Sequence, residues 1–223
     1  FIYMSSSMLI NRRGAVKLWL EFISLFILVP LLIFCFRDQL APFAVPIILL
    51  VAIYSFVVLS RAGVIKKQIQ KMRSHSLKDY QPMLIFFGAT SILILLLGFI
   101  LGYFSIAEPL KQNCLYLILL ILLYPLLSVI PQELVFRTFF FHRYRKLFNS
   151  LSGCATASGL CFGYAHIIYG NWTAVVLATI GGMLFSYRYM KTKATNIVVL
   201  EHSLWGIFIF IIGFADQFVA WQL

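Results

Sequence analysis

The chain has 223 residues, of which 62% are hydrophobic and 11% charged, with a mean hydropathy of +0.95 and a formal net charge of +11. Soluble domains carry roughly a quarter charged residues, so this composition excludes a soluble globular protein and indicates an all-α, polytopic integral membrane protein forming one domain over residues 1–223. The basic excess is dispersed along the chain instead of gathering on one soluble face, so no nucleic acid partner is expected.

An apolar run of about 20 residues crosses a bilayer, and about seven such transmembrane helices are predicted. The first, 15–36, is too long for a signal peptide and lacks a small-residue cleavage site. The second, 42–60, leads into the only sizeable polar segment, Arg61 to Asp79, expected to be a solvated, topology-setting loop among anionic headgroups. The remaining spans are predicted at 82–107, 113–136, 151–169, 172–190 and 194–214. These runs are continuously apolar, which excludes the alternating strands of a membrane barrel. Sixteen of the eighteen Lys and Arg residues fall on one side if the chain starts in the cytoplasm; Arg37 and Lys111 are left for the other. The positive-inside rule therefore predicts a cytoplasmic N-terminus and an external C-terminus. Cys35, Cys114, Cys154 and Cys161 form no CxxC pair; Cys154 and Cys161, seven apart, share a helix face and are expected to be small buried residues.

Chemistry concentrates in the last four spans, where a catalytic cavity is expected. The fourth ends in SVIPQELVFRTFFFHRYRKLF. Glu133 and Arg137 are four apart, so their side chains meet on a helix, and Pro131 is expected to kink the span and admit water. Alone, this fits a structural ion pair at a membrane exit. His166 in FGYAH and His202 in EHSLWG lie in two further spans, however, and ionisable groups at membrane depth mark functional sites. Gly163 and Ala165 flank one histidine, Ser203 and Gly206 the other, and small residues permit close helix approach. At 1.5 Å per residue, His166 lies roughly 22 Å from the cytoplasmic edge, Glu133 about 17 Å and His202 about 10 Å, so tilted or broken helices must bring them level. Glu201 falls on a different face from His202 and is expected to bond a backbone or another helix. Two histidines and a glutamate are zinc-ligand types, but there is no HExxH helix and Arg137 opposes a cation; no metal or cofactor is expected.

The order QExxxR, FxxxH and a final histidine, each on its own span, resembles the CPBP family of intramembrane endopeptidases, which includes CAAX-processing proteases and bacteriocin-processing bacterial relatives. The resemblance covers residues 126–213. It implies metal-independent hydrolysis of a peptide bond in a membrane-anchored protein or peptide, with Glu133 and His166 activating water, His202 binding the oxyanion and Arg137 orienting the acidic motif. Phe162 opens the FxxxH motif, and a Phe162 ring sealing a dry pocket would instead indicate a structural polar knot. Candidate substrates are prenylated tails, bacteriocin-like peptides, membrane regulators and the anchored tails of surface proteins, in the bilayer of a bacterial cell membrane.

Two positions depart from the family pattern of EExxxR and HxxxN. Gln132 stands where the first glutamate, the usual base, is expected, and glutamine cannot abstract a proton. Either Glu133 assumes that role, or the subgroup works differently, or the chain is an inactive homologue, a Glu-to-Gln variant or a binding partner of another membrane protein. Gly206 stands in place of the asparagine, whose donor Asn171 or a backbone N–H would have to replace. A proton-coupled transporter is a further alternative, although internal repeats are absent.

Overall fold

A computed structural model describes residues 12–101 and 114–218. The end of the third predicted span and Lys111 lie outside the described residues. Every regular element described is helical. The principal helices are α1 (Arg12–Cys35), α2 (Ala44–Arg61), α3 (Val64–Ser74), α4 (Leu77–Ile100), α5 (Ile118–Leu147), α6 (Leu151–Ala165), α7 (Trp172–Thr192) and α8 (Thr195–Ile209).

Among the described residues, six helices are long and apolar enough to cross a membrane, including α1, α2, α4 and α5. Their outward faces are aliphatic and aromatic: Phe99 is 82% exposed and Leu96 55%. Water would not tolerate so much contiguous apolar surface, so the solvent for these faces is lipid, and the protein is a multi-pass membrane protein. The seventh expected crossing, α7, is a helix of 21 residues. It falls short of the apolarity of the others because Tyr187, Arg188, Tyr189 and Lys191 occupy its last turns.

Helix starts follow local chemistry. Ser150 accepts the Gly153 N–H at 2.9 Å to open α6, and Asn171 accepts that of Ala174 at 2.8 Å to open α7. Each satisfies an orphan amide of a first turn. Asp79 accepts the Ser76 N–H at 2.7 Å in a capping box that starts α4. In α5 the helix passes Pro131 without breaking. Wide i→i+5 turns flank it, with Ile130 N–H bonded to Pro125 O and Phe140 N–H to Val135 O. Such turns absorb the missing proline donor and recur at functional sites.

Small residues fuse α6 to α7. A Cβ on Gly163 would lie 1.9 Å from Thr179 Oγ1 and 2.7 Å from its Cα; one on Gly182 would lie 2.6 Å from Gly159 O. Gly159 and Gly163 form the small-xxx-small spacing that brings membrane helices into backbone contact. Gly163→Ala is accordingly expected to lower stability by about 1–3 kcal/mol through overpacking, read as a lower thermal midpoint in detergent; an unchanged midpoint would mean that α6 and α7 separate freely.

A second cluster joins α1 to α5. Phe22 and Phe26 pack edge-on against Phe140 and Tyr144, with Phe26 and Phe140 centroids 5.1 Å apart. Arg143 grips Glu21 at 3.0 and 2.6 Å, and the Tyr144 hydroxyl donates to the same carboxylate at 2.9 Å. At this end of the bundle, Gln68 of α3 donates to Lys193 O at 3.2 Å and accepts the Thr195 N–H at 3.1 Å, while Lys71 donates to Thr192 O. The basic segment expected as a solvated loop is thus mostly the helix α3, packed onto the α7–α8 turn. Arg37 lies at the opposite end, against Gly170.

Candidate active site

The depth mismatch in the sequence disappears in the fold. Thr195, the first residue of α8, shares a hydrogen bond of 2.6 Å with Thr138, in the middle of α5. The helix α8 therefore begins roughly 9 Å inside the Tyr144 end, and His202, seven residues on, reaches roughly 20 Å. That is level with Glu133 and His166.

Glu133 is fully buried and, among the described residues, makes two polar side-chain contacts. His202 Nδ1 donates to its Oε1 at 2.7 Å, and Arg137 Nε lies 3.2 Å from its Oε2. Arg137 is itself fully buried, with Nη2 donating to Gly182 O at 3.3 Å. Its guanidinium lies 4.4 Å from the Phe162 ring centroid and 5.4 Å from that of Phe185, a cation–π arrangement strengthened by exclusion of water. Phe185 also stacks on His202 at 4.6 Å. Glu133, Arg137 and His202 are thus one rigid unit tying α5 to α7 and α8. Glu201 points elsewhere, taking both guanidinium donors of Arg188 at 3.0 and 2.9 Å and tying α8 to α7.

His166 ends α6 and starts a single 3₁₀ turn. Its Nδ1 is 2.8 Å from Phe162 O. A carbonyl only accepts, so Nδ1 carries the proton and the neutral ring keeps its lone pair on Nε2. Among the described residues no hydrogen bond joins His166 to Glu133. The pairing expected from the sequence is replaced by Glu133 with His202. The Phe162 ring touches both imidazoles, at 4.7 Å from His166 and 5.4 Å from His202.

Gln132 points away from this unit. Its Nε2 donates to Ser128 at 2.8 Å, and its Oε1 is buried with no hydrogen-bond partner. Together with Ser128, His166 and Tyr169 it forms the polar floor of a cavity of about 130 Å³. The walls are not those expected. They come from α1 and α2 as well as α5 and α6, and neither α7 nor α8 contributes. The N-terminal pair, which carries no motif, supplies aliphatic walls such as Val29, Ile48 and Val51.

The remaining predicted positions have other duties. Asn171 caps α7 and donates to Gln217 O at 2.8 Å, so its amide is engaged away from His202. Gly206 makes room for Tyr124: a Cβ there would lie 2.0 Å from the Tyr124 hydroxyl, whose ring faces His202 at 6.3 Å. Tyr124 and Ser128 went unnoticed in the sequence because a tyrosine and a serine in an apolar helix carry no signal until their neighbours are known. Among the described residues no three His, Cys, Asp or Glu side chains converge as a ligand set.

Residues 114–208 match a family model described as type II CAAX prenyl endopeptidase Rce1-like. No curated protein and no solved structure matches the chain. The matched segment runs from α5 into α8 and contains Gln132, Glu133, Arg137, His166 and His202, the residues the fold has just brought level. Over these residues, a little under half of the chain, the match supports the CPBP/CAAX protease family of intramembrane endopeptidases.

Proposed function

We propose that the protein hydrolyses a peptide bond in a membrane-anchored protein or peptide of a bacterial cell membrane, with water activated by His166 and without a metal. The observation that carries this reading is a histidine whose Nδ1 is committed to Phe162 O while the ring lines the same cavity as the unpartnered Gln132 Oε1. A water there donates one O–H to Gln132 Oε1 and the other to His166 Nε2, which leaves its lone pair for the carbonyl carbon. As the C–O bond forms, Nε2 takes the proton and the carbonyl electron pair moves onto oxygen. When the C–N bond breaks, the imidazolium returns that proton to the leaving amine. For the same carbonyl to reach His202, which lies outside the cavity, it must pass the Phe162 ring that touches both imidazoles. His202 then donates to the oxyanion through Nε2 when its ring carries both protons, with Glu133 holding Nδ1, and the Tyr124 hydroxyl beside Gly206 is the second donor.

The test is cleavage of a membrane-anchored peptide library by purified protein. Cleavage is expected to survive chelators and to fall about 10²-fold in His202→Ala, the usual loss for one oxyanion donor. Loss on chelation, or full activity in His202→Ala, would overturn the mechanism.

Gln132 favours a second reading, a catalytically impaired homologue that binds membrane segments. Saturable peptide binding with no product from any library member would select it.

A further inference from the structure

Resting on that hydrolytic reading, we infer that the cavity between α1, α2 and α5 is a subsite for one large apolar side chain of the substrate, of leucine, methionine or phenylalanine size, reached from the half of the bundle away from the basic end. Three observations carry this. The first is size. The cavity measures about 130 Å³, and a protein cavity of about 150 Å³ takes up benzene. It therefore seats roughly six carbons, the size of one large apolar side chain.

The second observation is chemistry. The walls are aliphatic, from Val29 and Ile33 of α1 and from Ala44, Ile48 and Val51 of α2, while Ser128, Gln132 and His166 form the floor. An apolar side chain seated on the walls brings its own backbone to that floor. There Gln132 Oε1, buried and lacking a donor, accepts a peptide N–H or the attacking water. An empty acceptor at the end of an aliphatic slot suits an extended peptide better than a lipid tail, which has no donor to offer.

The third is position. The lining of α1 lies in its second half, towards Cys35, and that of α2 in its first half, from Ala44. Both halves adjoin Arg37, which packs against Gly170 just beyond His166. Arg61, Arg143 and Lys193 sit at the other end. The family match begins at residue 114, so the walls from α1 and α2 lie in the part of the chain the match leaves uncovered, while those from α5 and α6 lie inside it.

The experiment uses the full chain in phosphatidylethanolamine–phosphatidylglycerol vesicles and a membrane-spanning peptide in which photo-leucine is moved one residue at a time. One register is expected to cross-link to residues 25–33 and 44–51. Ala44→Phe, which fills the slot, is expected to lower that yield at least tenfold. Ile48→Ala, which enlarges it, keeps the leucine cross-link and admits a bulkier aromatic probe. Cross-linking without register dependence, or a yield unchanged in Ala44→Phe, overturns the subsite. Cross-linking needs no turnover, so an intact cross-link with no cleavage sinks only the hydrolytic reading. Cleavage whose side-chain preference ignores Ala44→Phe sinks only the subsite.

Discussion

Replacing Gln132 with glutamate is expected to raise peptide hydrolysis by about 10²- to 10⁴-fold, the range of a positioned general base. The side chain already points into the cavity floor that His166 shares, with its Oε1 unpartnered and its Nε2 on Ser128 Oγ at 2.8 Å. The exchange is isosteric. It converts an amide that can only orient water into a carboxylate that can also take its proton, while Ser128 reverses its hydroxyl to donate instead of accept. The gain should appear in kcat at saturating membrane-anchored peptide. It should vanish when His166→Ala is added, because in the proposed mechanism the two groups act on one water molecule and such effects are not additive. A Gln132→Glu protein no faster than the parent would mean that the water sits elsewhere and that Gln132 marks only the substrate subsite.

Glu133→Ala is expected to cost about 3–5 kcal/mol of stability, because removing one member of a buried pair strands the other charge. Arg137 has no route to water: it is fully buried, and its Nε and Nη1 find no hydrogen-bond acceptor among the described residues. Its counter-charge is Glu133 at 3.2 Å, supported by Gly182 O and two aromatic faces. Removing the carboxylate also releases His202. The free, buried Cys154 and Cys161 provide the measurement, since they react with a thiol-specific fluorophore only after the bundle opens. Their reaction midpoint should fall steeply in Glu133→Ala and recover in the double variant Glu133→Ala/Arg137→Met, because replacing both charges by apolar groups is often neutral. A normal midpoint in the single variant would show that Arg137 reaches water or lipid headgroups. Loss of activity in Glu133→Ala is thus no evidence of direct catalysis, whereas Gln132→Glu changes chemistry without removing a buried charge's partner.

Membrane class, the helical character of the spans and the residues worth watching are all legible from composition and spacing, because lipid forces each span to satisfy its own backbone hydrogen bonds. The contact of Glu133 with Arg137 is equally local, an i,i+4 relation that survives the wide turn Leu134–Phe139. The partner of the acid was not legible. Counting residues placed His202 too shallow, since nothing local shows that α8 starts beside Thr138 instead of at the membrane edge. That offset is long-range: Gln68 accepts the Thr195 N–H, and Lys71 donates to Thr192 O, from another part of the chain.

Only tertiary packing could decide which side of α5 meets the cavity. Gln132 and Glu133 are neighbours in sequence, yet the helix turns about 100° between them, so one faces α1 and α2 while the other faces α7 and α8. The cavity walls were hidden for the same reason. Val29, Ile48 and Val51 are ordinary lipid-compatible residues in spans that show only topology when read alone. They acquire a role because α1 is drawn against α5 by Phe22, Phe26 and the Glu21–Arg143 pair, contacts over more than a hundred residues of chain that no local pattern encodes.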